Sequence, residues 1–113
     1  MPRHKVDLLN ITLRDVKKDE NSFLNYAKQD MIGFVMLFNQ KLNSVDESEM
    51  TRLTRKLIDV SLFLNGTYYL PYRLHATKAQ FMKAYPEGIS FFLLKNKYDP
   101  LEVFQNKFYK TYK

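Results

Sequence analysis

The chain has 113 residues, 45% of them apolar, with a formal net charge of +6 and no cysteine. That length suits one domain with a core, and that composition argues against wholesale disorder. The missing cysteine excludes disulfides, thiolate metal sites and cysteine nucleophiles, and fits a cytoplasmic protein. No apolar run reaches the roughly 20 residues of a membrane span. The start, MPRHKVDLLN, has no apolar segment of the signal-peptide kind.

Residues 5–14, KVDLLNITLR, hold β-branched Val6, Ile11 and Thr12 without glycine or proline, and predict a strand. Alternation puts Leu9, Ile11 and Leu13 on one face and Leu8, Asn10, Thr12 and Arg14 on the other. Residues 15–30 are charged and predict a loop with a helical turn near 22–28. Residues 31–39, MIGFVMLFN, are apolar on both faces, which predicts a buried central strand antiparallel to the first.

The clearest helix is predicted over 44–65. Ser44 with Glu47 has the spacing of a capping box, and Asp46, Glu47 and Glu49 suit the positive end of the helix dipole. Met50, Leu53, Leu57, Ile58, Ser61 and Leu64 form an apolar stripe. Gly66 falls where a left-handed residue closes a helix. Residues 67–70 predict a third, short strand ended by Pro71. Thr77 with Gln80 is a second capping box, opening a helix that runs to Tyr85 before Pro86. Another helix spans about 89–97. Asp99-Pro100 with Glu102 predicts a last helical turn, with Phe104, Phe108 and Tyr112 on one face. The whole reads as a single α+β domain over 1–113. It would have a small antiparallel sheet of about three strands and helices packed on one face.

Chemistry narrows quickly. His4 and His75 lie far apart without carboxylates at ligand spacing, so no metal is expected. No serine sits in a nucleophile elbow. Gly33, Gly66 and Gly88 are isolated, which leaves neither a dinucleotide fingerprint nor a P-loop. The basic residues are scattered, so a nucleic-acid track is not expected, although bases stacked on Tyr68, Tyr69 and Tyr72 remain an alternative. The dense stretch is GTYYLPYRLHAT, 66–77. Its tyrosines can hydrogen-bond a substrate hydroxyl, and Arg73 can hold negative charge. Equally, the rings can be core or rim aromatics with hydroxyls in water.

The run NGTYYLPYRLHATKAQFMKAYPEGISFFLLKNKYDPLEVFQNKFY resembles the C-terminal end of FAD-dependent oxidoreductases of the vanillyl-alcohol-oxidase/PCMH type. Decaprenylphosphoryl-ribose oxidase and the sugar and lactone oxidases belong to that superfamily. The matching order is Gly66, Tyr69, Thr77, Tyr85-Pro86, Asp99-Pro100 and Phe104. The two predicted strands are similar to the preceding part of the same cap domain. The resemblance implies a substrate (cap) domain that walls a pocket in which an alcohol, sugar or lactone is oxidised. It implies catalytic roles for Tyr72 and Arg73, and substrate contacts from Asn10, Thr12, Tyr69 and His75. Relatives often carry a lysine at the position of Tyr72, a departure that removes a fixed charge Arg73 would have to replace. The FAD-binding domain is not in these residues, so FAD is expected only with a partner domain or subunit, and the chain alone is expected to be inactive. A protein-interaction module, including a homo-oligomer formed through the exposed sheet, is the alternative.

Overall fold

A computed structural model describes residues 6–113; His4 and the first residue of the predicted strand lie outside them. The chain is α+β: β1 (Asp7–Val16), β2 (Met31–Asn39), α1 (Ser44–Phe63), α2 (Lys78–Ala84), α3 (Gly88–Tyr98) and α4 (Lys107–Tyr112).

β1 and β2 form an antiparallel hairpin, and the sheet has two strands rather than three. Opposed pairs Ile11–Met36, Leu13–Phe34 and Asp15–Ile32 share one face; Asn10–Leu37, Thr12–Val35 and Arg14–Gly33 share the other. A bulge between Leu8 and Asn10 makes Leu9 the extra residue. Leu8 therefore opposes Phe38 and moves from the polar face, where strict alternation puts it, to the apolar one. The expectation of a buried β2 fails: Ile32, Phe34 and Leu37 are all more than half exposed. Apolar side chains on both faces suit burial in a wide sheet, but among the described residues no second layer covers the hairpin.

The segment 67–70 is not a strand. Its backbone is satisfied by side chains instead: Ser61 Oγ donates to Thr67 O at 2.7 Å, and the Tyr85 hydroxyl donates to Tyr68 O. High β-propensity without an adjacent strand edge produces an extended loop. The turn expected near 22–28 is also irregular, held by Asp19 accepting from the amides of Asn21 and Ser22.

Helix α1 starts one residue away from the predicted cap. Asn43 Oδ1 accepts from the Asp46 amide at 2.8 Å, so Asn43 rather than Ser44 is the N-cap. At the other end Asn65, at φ 60°, takes the left-handed conformation assigned to Gly66. Gly66 is required for a different reason. Its amide donates to Ser61 O at 2.7 Å, and a Cβ there would lie 2.6 Å from Ser61 Oγ. We therefore predict opposite signs at neighbouring positions. Asn65→Gly should raise stability by about 0.5–1 kcal/mol, and Gly66→Ala should lower it by about 1–2 kcal/mol. Paired thermal melts check both.

The Thr77 capping box forms as expected, with the Gln80 amide donating to Thr77 Oγ1 at 3.1 Å and Gln80 Oε1 accepting from the Thr77 amide at 3.0 Å. No helix begins at Asp99. Its carboxylate accepts from the Val103 and Phe104 amides, both at 2.9 Å, and Glu102 adopts φ 53°. The chain thus folds into a turn, and α4 starts later, capped by Asn106. Phe104 consequently leaves the face it was expected to share and is exposed, while Phe108 is half-buried and Tyr112 is buried.

The core lies among the helices. Phe81 is at its centre, stacked on Tyr112 (centroids 4.8 Å apart, planes at 19°) and Tyr85 (5.8 Å, 27°), with Phe92 and Phe108 against its other sides. The Tyr112 hydroxyl donates to Ala76 O at 3.0 Å and ties the last helix to the loop before α2. The hairpin joins this body chiefly through the segments at its two ends. Residues 17–30 carry Phe23 against Phe91 of α3 (5.8 Å) and Lys28 to Glu87. Gln40, just past β2, bonds Glu47 of α1 at 2.6 Å. The radius of gyration is 15.6 Å, against about 13 Å for a compact chain of this length. No helix among the described residues is long and apolar enough to cross a membrane.

Candidate functional site

The loop from Gly66 to Thr77 is held from below and open above. Tyr85 fixes its start through Tyr68 O, and Arg55 Nε donates to His75 O at 2.8 Å near its end. Gln80 then locks Arg55 and Asp59 of α1 with bonds of 2.9 and 2.7 Å. A loop pinned on both sides presents the side chains between the pins in fixed directions.

Those side chains sort into two groups. Tyr26, Tyr69 and Tyr72 form an exposed edge-to-face series, with centroids 5.3 Å apart for the first pair at 80° and 5.0 Å for the second at 81°. Tyr72 is 61% exposed. Each ring presents a positive edge to the next ring's negative face, which orders a surface that would otherwise be mobile.

Arg73 and His75 turn instead to Glu47. His75 Nε2 lies 2.6 Å from Glu47 Oε1; Arg73 Nη1 lies 2.5 Å from Oε2; Gln40 Nε2 lies 2.6 Å from the same oxygen. One carboxylate thus gathers the hairpin's end, helix α1 and the loop. With Nε2 bonded to Glu47, the other ring nitrogen of His75, Nδ1, lies 3.3 Å from the Thr54 hydroxyl. His75 is buried, 8% exposed, so its ring braces the loop and does not face solvent. Hydrogen bonds from His75 and Gln40, with Arg73's charge nearby, hold the Glu47 carboxyl below the usual carboxylate range.

This has a pH consequence. A carboxyl depressed in the folded chain adds stability that is fully present above its unfolded value of about 4.3 and fades as pH falls through the folded value. Asp99 and Glu102, bonded to Lys95 and Lys113, shift the same way. Stability should be level above about pH 5 and decline below about pH 4. Urea titrations at a series of pH values check this, and in Glu47→Gln the decline should be shallower.

Of the residues expected at the site, the structure brings Tyr69 and Tyr72 together, and Arg73 with His75. Asn10 and Thr12 lie on the exposed polar face of the hairpin, and among the described residues no hydrogen bond joins them to the loop. Three members escaped sequence reasoning. Glu47 has the spacing of a capping box with Ser44, which the Asn43 cap makes unnecessary. Gln40 and Tyr26 carry no local signal, since only the tertiary fold brings them to the loop.

An open groove of about 430 Å³ is lined by Lys28, Leu62, Gly66, Lys83 and Glu87, without Tyr72 or Arg73. The isolated glycines offer no cradle for a pyrophosphate. No cluster of three histidine, aspartate or glutamate side chains suited to a metal occurs among the described residues. What the loop makes is a firm aromatic wall with an arginine at its edge. Comparison with protein-family models, curated proteins and solved structures finds no match for this chain.

Proposed function

We propose that the chain is the substrate-wall piece of a cytoplasmic FAD-dependent oxidoreductase acting on the CH–OH group of an alcohol, sugar or lactone. Its FAD-binding half is supplied by a partner domain or subunit, and this piece has no activity alone. The observation that carries the reading is the ordered, exposed wall: Tyr69 and Tyr72 stand edge to face on an open surface, 46% and 61% exposed, beside Arg73. A wall of that kind has chemical use only when a second surface closes over it. The order from Gly66 to Phe104 supplies the flavin-oxidase identity of that second surface.

Within this reading Tyr72 donates a hydrogen bond to the substrate oxygen or relays its proton. Arg73, steered by Glu47, sets the positive charge of the wall. Asn10 and Thr12 contact substrate only if the partner closes over the polar hairpin face as well. No step of flavin chemistry is assigned to this chain.

Co-expression with the product of the reading frame immediately upstream tests the reading. The expected result is a yellow complex containing this chain and one flavin per pair, while this chain purified alone takes up no FAD. Tight stoichiometric FAD binding by the lone chain, or an upstream product that neither binds flavin nor associates, would overturn it.

A non-catalytic interaction module is the second reading. It is favoured by the commitment of Arg73 and His75 to Glu47, which makes them structural ties. On this reading Tyr72→Phe and Arg73→Ala alter at most the stability of the chain and leave the turnover of any complex it joins unchanged.

A further inference from the structure

We propose that the apolar face of the β1–β2 hairpin packs against the same face of a second copy of this chain. The packing would form a two-layer, four-stranded dimer centre. The inference does not rest on the flavin reading, since it uses a different surface.

Three observations support it. First, Ile11, Leu13, Ile32 and Phe34, which the strand register puts on one face, are 46–62% exposed, with Met36 between them. An isolated two-stranded hairpin is marginal in water, and covering one face with a second sheet is the usual remedy. Second, the face is of the right extent. A specific interface begins at roughly 600 Å² per copy, about 1,200 Å² in total, and a nine-residue strand pair carrying four large apolar side chains about half exposed is a surface of that order. Third, the charge distribution selects this surface. The chain carries +6 overall, which opposes contact between copies over most of its surface. The strands hold only Asp7, Arg14 and Asp15, a net charge of −1. Arg14 and Thr12 point to the opposite face, and the one charge on the apolar face, Asp15 opposite Ile32, is paired with Lys17 at 3.3 Å, so two copies can meet over Leu13 and Phe34 without opposing unpaired charges.

A two-fold arrangement satisfies the same patch twice and closes, so assembly stops at two. The Tyr26–Tyr69–Tyr72 series and the exposed loop of Leu101, Val103 and Phe104 stay outside the proposed contact, free for another partner.

Sedimentation velocity between about 1 and 200 µM is the test. The wild-type chain should sediment as a dimer in the upper part of this range. Phe34→Asp should weaken association at least about tenfold, the effect of removing a central anchor. Thr12→Asp, on the opposite face, should leave it unchanged. Far-UV circular dichroism verifies the fold, and the milder Ile11→Ser, at a position already half exposed, replaces Phe34→Asp if that variant misfolds. A monomeric wild-type chain throughout, open-ended aggregation, or dissociation caused by Thr12→Asp but not by the apolar-face variants would overturn the proposal. If the dimer fails while the yellow complex forms, the two claims separate.

Discussion

Phe81→Ala should cost about 3–5 kcal/mol and leave much of the chain unfolded at room temperature. The ring is fully buried and contacts Tyr85, Phe92, Phe108 and Tyr112, so its removal opens a void lined by four aromatics. Relaxation cannot fill that void easily. On one side Gly88 already lies so close that a Cβ there would sit 2.8 Å from the ring. On another, Tyr112 is tethered through its hydroxyl to Ala76 O. Phe81→Leu retains most of the volume and should lose about 1–1.5 kcal/mol. Equilibrium urea unfolding followed by tyrosine fluorescence and far-UV circular dichroism measures both. A loss below about 1 kcal/mol for the alanine variant would mean that the core lies elsewhere.

Glu47→Ala should cost about 2 kcal/mol, most of it from stranding a buried imidazole N–H. His75 loses its Nε2 partner, Arg73 its ion pair and Gln40 its acceptor at once. The stability loss understates the structural effect, because the same carboxylate ties the hairpin's end to the loop. Hydrogen exchange should therefore quicken at 73–76 and 39–41, and not at the Phe81 core. Glu47→Gln keeps an acceptor for one donor and should lose roughly half as much. Arg73→Ala removes a partly exposed pair and should change stability by less than about 1 kcal/mol. The ordering Glu47→Ala, then Glu47→Gln, then Arg73→Ala distinguishes a hub carboxylate from three independent surface contacts.

Local signals in the chain suffice where a single segment decides the outcome. The Thr77–Gln80 box needs only four residues, and the 31–39 run has no competing helical period. Elsewhere a neighbour in sequence or space intervened. Asn43 and Ser44 are both good caps, and no local rule ranks them; the choice of Asn43 releases Glu47 for the loop. Asn65 and Gly66 compete for one left-handed position, and the close approach to Ser61 decides which takes it. Tyr68 and Tyr69 favour strands, yet a strand needs an edge, and the hairpin stands away from them. Asp99 with Pro100 has the pattern of a helix start, but its carboxylate finds the amides of 103 and 104 and makes a turn.

The candidate site divides in the same way. Tyr69 and Tyr72 were legible as a pair because three positions along one extended loop bring them near each other. The convergence of Arg73 and His75 on Glu47 spans 26 and 28 residues. Asn10 and Thr12 share a polar face by strand alternation alone, which says nothing of where that face points. The bulge at Leu9 preserves their face while moving Leu8.

The proposed role of the aromatic wall depends on Tyr72 acting on substrate rather than merely packing. The most direct measurement is the rate at which a substrate alcohol, sugar or lactone bleaches the yellow complex in the absence of oxygen, for wild type and Tyr72→Phe. The account predicts roughly a hundredfold slower bleaching in the variant, the lower end for a lost proton-transfer group, with complex formation unaltered. Equal rates in the two proteins would contradict it and leave this surface as a docking face alone.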